Sequence, residues 1–112
     1  MRLVTVDSSV FVSAARPSEP GFQERADFLG WVRRSRPRLF LPTLVLVETA
    51  AALSRTGSDE DIAQQYALAI GQVPNTVLVT LDEGLARQAA ALGAQHKLRG
   101  ADALYLATAS LF

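Results

Sequence analysis

Apolar residues fall along this chain in short runs that alternate with longer segments of helical spacing. Leu3-Val4-Thr5-Val6 opens as a β-branched run without a polar face, which suits a strand covered on both sides. Ser8 to Ala15 reads as a helix, ended by Arg16-Pro17 and the Pro20-Gly21 turn. Over 22–34, Phe22, Ala26, Leu29 and Val32 recur near helical spacing. Leu39 to Leu41 predicts a second strand. Pro42 suits the first position of a helix that continues from Thr43 to Arg55 and stops at Gly57. Ser58, with Asp61 three residues on, reads as the cap of a helix over Ile62 to Ile70. Thr76 to Val79 predicts a third strand. Thr80 to Glu83 then has the spacing of a capping box, opening a helix that reaches Ala91 and stops near Gly93. Gly100 introduces the last helix, 101–111.

Strand and helix alternating in this order predict an α/β protein, a three-layer α/β/α sandwich around a central parallel sheet. A length of 112 residues suits one domain, 1–112, with one core. We find no internal repeat, linker or low-complexity segment. With 49% of residues apolar the chain is not disordered. A net charge of +0 gives no general attraction to nucleic acid, but its distribution is uneven. Arg33, Arg34, Arg36 and Arg38 form a basic run, and Asp59-Glu60-Asp61 an acidic one. The arginines are candidates for phosphate contacts, although a solvated helix end explains them equally well. There is no cysteine, so thiolate metal sites and disulfides are excluded. The first residues meet a charge too soon for a signal peptide, and no run is long enough to span a bilayer. A cytoplasmic protein without a membrane partner is expected.

Three carboxylates interrupt the apolar pattern. Asp7 ends the first strand run, and Glu48 divides Leu44-Val45-Leu46-Val47 from Ala50-Ala51-Ala52-Leu53. Asp102 opens Ala101-Asp102-Ala103-Leu104-Tyr105-Leu106-Ala107, which carries no other charge. Buried carboxylates need a partner, and no Lys or Arg lies in these segments. Brought together they would repel one another, a conflict that a divalent metal resolves. The layout favours a meeting, because ligand sites of open α/β sheets gather beyond the carboxyl ends of the strands. Leu44, Val45, Ala51 and Ala52, three and four residues from Glu48, are all apolar, so Glu48 points into the protein. Asp102 lies in a first helical turn, where the helix dipole favours an anion.

Val6-Asp7-Ser8-Ser9-Val10-Phe11, Val47-Glu48-Thr49-Ala50-Ala51-Ala52-Leu53 and Arg99-Gly100-Ala101-Asp102-Ala103-Leu104-Tyr105-Leu106-Ala107-Thr108-Ala109 together resemble a PIN domain. The nearest type is the small VapC-like ribonuclease toxin of toxin–antitoxin pairs. The resemblance runs the length of the chain, and its last motif is the most specific. It implies the α/β/α sandwich, an endoribonuclease dependent on Mg²⁺ or Mn²⁺, a cognate antitoxin and a homodimer. It carries catalytic and metal-binding roles onto Asp7, Glu48 and Asp102, and a supporting polar contact onto Ser9. Such domains usually add a further edge strand followed by a fourth acid. This sequence ends at Phe112, so we expect that strand to be missing through truncation.

Each residue also has a plainer reading. Asp7 can cap the first helix, Glu48 can reach solvent between helices, and Asp102 can serve helix electrostatics alone. Asp59, Glu60, Asp61, Asp82 and Glu83 are better explained as caps and solvated faces, and His96 as an exposed imidazole. Trp31 and Tyr105 read as core or interface. Leu104, Tyr105, Ala107, Leu111 and Phe112 give the last helix more apolar surface than one face needs, which favours a dimer. Two rival functions stay open: a phosphoacceptor signalling domain, and a non-catalytic PIN-like interaction or RNA-binding module lacking the fourth acid.

Overall fold

The computed structural model describes residues 3–112. Its frame is a parallel sheet in the order β1-β2-β3, built from β1 (Leu3–Val4), β2 (Arg38–Pro42) and β3 (Thr76–Val79). β2 is central: Leu3 and Val4 pair with Arg38 and Leu39, while Leu39 to Pro42 pair with Thr76 to Val79. Leu39 and Leu41 are fully buried on one face of β2 and Phe40 is 7% exposed on the other. Continuous apolarity there is what a strand covered on both faces requires.

Helices supply the cover. These are α1 (Ser8–Ala14), α2 (Phe22–Ser35), α3 (Leu44–Arg55), α4 (Glu60–Ile70), α5 (Glu83–His96) and α6 (Gly100–Ser110). One core joins Leu39 and Leu41 to Phe11 of α1, Val32 of α2, Val45 of α3, Ile70 of α4 and Tyr105 of α6. A second joins Leu85 and Ala89 of α5 to Ala103, Leu104 and Ala107 of α6, with Val79 packed against it. The expected α/β/α architecture is therefore realised. The described residues hold three strands, so the edge beyond β1 has no further strand among them.

Several boundaries differ from the sequence pattern, each for a local reason. β1 stops at Val4, because Val6 turns into the core and leaves the ladder. Pro42 ends β2 and does not begin α3: pairing runs one residue further, the Thr43 amide donating to the Val79 carbonyl at 3.0 Å. α4 starts earlier, since Asp59 and not Ser58 caps it, accepting from the Asp61 and Ile62 amides. Asp82 likewise replaces Thr80 as the cap of α5, accepting from the Leu85 amide at 2.8 Å. Gly93 does not stop α5, which runs on to His96 and ends with Lys97 in a left-handed conformation. A Cβ on Gly93 would lie 3.3 Å from that of Ala103, so the glycine serves the close approach of α5 and α6.

The surplus apolar surface expected of α6 is smaller than its sequence suggests. Leu104, Tyr105 and Ala107 are buried within the fold, leaving Leu106, Leu111 and Phe112 exposed, and Phe112 stacks on Phe40 at 3.6 Å. An apolar cavity of about 190 Å³ is lined by Phe11, Leu29, Val32, Leu39, Tyr66 and other residues. None of Asp7, Glu48 and Asp102 lines it.

Because Leu39 and Leu41 of β2 lie fully buried in the first core, Leu41→Ala should destabilise the protein by about 2–5 kcal/mol. Leu81→Ala, at a position 49% exposed, should change stability by no more than about 0.5 kcal/mol. Urea unfolding checks both, and equal effects would contradict the central role of β2.

Candidate functional site

Asp7 lies just beyond the carboxyl end of β1, and α1 begins directly after it. Its extended backbone makes it the N-cap, and Oδ1 accepts from the Ser9 amide at 3.0 Å. The capping role is thus real, but it employs one carboxylate oxygen and leaves the side chain exposed. Glu48 is the fifth residue of α3, the helix that follows the carboxyl end of β2. It is half-buried and turned inward, as its apolar neighbours imply.

Ser8 joins these two acids. Its hydroxyl lies 3.2 Å from Asp7 Oδ1 and 3.3 Å from Glu48 Oε1. A serine hydroxyl has one proton, so it can donate to only one of the two at a time. Both distances are long for O–H···O bonds, whose usual value is about 2.7–2.8 Å. Two carboxylates therefore share one weak donor. No ion pair joins either of them to a cation among the described residues.

Tyr105 supplies the firmer bond. Its hydroxyl donates to Glu48 Oε1 at 3.0 Å, linking α6 to α3. Burial, and then the bond to Glu48, raise the phenol well above its ordinary value, so Tyr105 remains a donor. Tyr105 reads as core from the sequence, and its ring is indeed buried there. The missed signal was a hydroxyl three residues after Asp102, one turn along an otherwise apolar helix. Ser8 was also missed: its hydroxyl approaches both acids, while Ser9 makes its polar contact to Asp7 through its amide.

Asp102 sits in the first turn of α6, as expected, but is exposed and makes no hydrogen bond or ion pair among the described residues. No three His, Asp or Glu side chains are gathered to hold a metal among those residues. Ser8 links Asp7 to Glu48, and Asp102 lies one turn before Tyr105, the residue that bonds Glu48 from α6. The donor chemistry of the pair nevertheless suits a hard divalent cation: it is all oxygen, anionic and without a counter-charge. Mg²⁺ is usually held by only one or two carboxylates.

The arginines lie elsewhere. Arg33 and Arg34 end α2, Arg36 caps it and Arg38 begins β2, all exposed. The acids stand near the carboxyl end of the sheet, so the length of β2, roughly 13 Å at about 3.3 Å per residue, intervenes. At that range solvent and salt screen exposed charges. His96 is exposed, and the distributed acids Asp59 and Asp82 act as caps.

Strand-end acids on a parallel sheet occur in more than one family, and the decision comes from the whole chain: the PIN domain family matches residues 4–111. This chain belongs to the PIN domain family. The match includes Asp7, Glu48 and Asp102, and PIN domains are generally nucleases that require a divalent metal. Comparison with curated proteins gives no match.

Tyr66 matches Tyr105 in kind, since burial also raises its phenol while its hydroxyl donates to the Phe11 carbonyl at 2.7 Å. Above the ordinary value of 10.0, the unfolded chain releases protons that the folded PIN domain retains at both tyrosines. Their contribution to stability is therefore complete below pH 10.0 and is lost as pH rises through the raised folded values. Urea midpoints should fall across that alkaline window, and less steeply in Tyr66→Phe or Tyr105→Phe. A fall of the same steepness in both variants would contradict the assignment.

Proposed function

We propose that this PIN domain is a metal-dependent endoribonuclease, the toxin of a toxin–antitoxin pair, hydrolysing RNA phosphodiesters in the cytoplasm. The observation that carries the reading is the Asp7–Ser8–Glu48 arrangement: two carboxylates around one shared proton, with no ion pair to a cation among the described residues. Asp7 and Glu48 would hold Mg²⁺ or Mn²⁺, and Asp102, one turn before Tyr105, would join them from α6. The bound ion supplies a Lewis acid that makes water a better nucleophile and offsets charge on the phosphoryl group.

The protein's own groups do the rest. The Ser9 amide fixes Asp7 Oδ1, and the Tyr105 hydroxyl fixes Glu48 Oε1, so both acids are oriented before a ligand arrives. Exposure of Asp7 and Asp102 leaves the site open to a polymer. Single-stranded or looped RNA suits such a shallow site, because its backbone can be splayed outward. Arg33, Arg34, Arg36 and Arg38 would bind phosphates further along the strand. A cognate antitoxin and a homodimer belong to the same reading. For the dimer, the supporting observation is the exposure of Leu106, Leu111 and Phe112, and a sedimenting monomer at every concentration would contradict it.

A second reading, a non-catalytic PIN-like binding module, is favoured by one observation: no three His, Asp or Glu side chains are gathered to hold a metal among the described residues. The phosphoacceptor alternative lacks its key residue, since central β2 ends at Pro42 and is followed by Thr43 and Leu44, not by an aspartate.

Cleavage of RNA by purified protein with Mg²⁺ or Mn²⁺ separates the readings. Asp7→Asn, Glu48→Gln and Asp102→Asn should each abolish cleavage while the fold survives. Their effects should be non-additive, as expected of residues that act as one unit. His96→Ala should retain activity. Metal-independent cleavage, or a triple-acid variant as active as the wild type, would overturn the proposal; RNA binding without cleavage would favour the second reading.

A further inference from the structure

Glu48 takes its position from two other parts of the chain. Ser8 at the start of α1 approaches Oε1 at 3.3 Å, and Tyr105 of α6 donates to the same oxygen at 3.0 Å. Of the two donors, Tyr105 is the more constrained. Its ring is 8% exposed and packed in the core that contains Leu39, Leu41 and Val45. A tyrosine held in this way has two side-chain torsions, both fixed by packing. A glutamate has three, and ordering it has an entropic cost that a preset donor removes beforehand. Glu48 Oε2 has no hydrogen-bond partner among the described residues. One oxygen is thus anchored and the other is available.

Building on the metal-site reading above, we propose that Tyr105 is a positioning residue. Its hydroxyl holds Glu48 Oε1 so that Glu48 and Asp7 form a preset carboxylate pair for a divalent cation. Partners that orient metal-binding side chains typically change metal affinity about 10–100-fold when removed. The bond spans 57 residues of sequence, so it also couples the packing of α6 to the geometry of the acid pair.

Tyr66 provides an internal comparison. It too has a partly buried hydroxyl, bonded at 2.7 Å to the Phe11 carbonyl, but it touches neither acid. Removing either hydroxyl keeps the ring, and only one of the two should affect metal binding.

The test is Mn²⁺ titration calorimetry on the full chain, with circular dichroism to confirm that each variant is folded. Tyr105→Phe should weaken Mn²⁺ binding about ten-fold or more. Tyr66→Phe should bind as the wild type does, even if its melting temperature falls equally. A ring-fluorinated tyrosine at position 105, which keeps the hydroxyl, should retain wild-type affinity. Asp7→Asn should lose the site. Wild-type affinity in Tyr105→Phe, or an equal loss in Tyr66→Phe, would overturn the positioning role and leave the metal site standing. A wild-type chain that binds no Mn²⁺ would overturn both.

Discussion

Burial of β2 on both faces is the constraint from which the rest of the molecule follows. A strand whose Leu39 and Leu41 must be dry on one side and Phe40 on the other needs two helical layers. Its backbone also needs partners on both edges, which β1 and β3 provide in parallel register. Parallel pairing places the exits of β1 and β2 at the same end of the sheet. The residues that follow those exits, Asp7 and the first turns of α3, are consequently neighbours. The site is a result of how the sheet is covered.

What gathers at that end is unbalanced charge. Asp7 and Glu48 share the single proton of Ser8, and among the described residues only Tyr105 gives Glu48 a dedicated donor. Like charges at short range disfavour the folded state unless something relieves them, and a ligand specific to the folded state would do so. Tension of this kind at a strand-end rim is difficult to explain as a device for stability. It fits a PIN domain, a family of generally metal-dependent nucleases. Folding must hold two acids close together, and Tyr105 bonds one of them from within the core.

Much of the architecture was legible in the sequence because it depends on periodicity. The β-branched run at Thr76–Val79 gave β3 at its observed limits, and the apolar neighbours of Glu48 gave its inward direction. Helix starts were less legible, because Ser58 or Asp59, and Thr80 or Asp82, are equally good caps until loop geometry selects one. Tyr105 and Ser8 were missed for a different reason. A hydroxyl contact across 57 or 40 residues leaves no periodic trace. The arginine run was visible, but its separation from the acids depends on which end of β2 it occupies, a three-dimensional fact. Sequence spacing likewise puts Asp102 in its first turn without saying whether its side chain reaches the other acids.

We propose that Asp7 and Glu48 together form a divalent-cation site. Crystals grown with Mn²⁺ and measured for its anomalous scattering test it most directly. The account predicts an anomalous peak in contact with a carboxylate oxygen of Asp7 and of Glu48, with the Tyr105 hydroxyl still on Glu48. A peak elsewhere on the protein, or an empty map at saturating Mn²⁺, would contradict it.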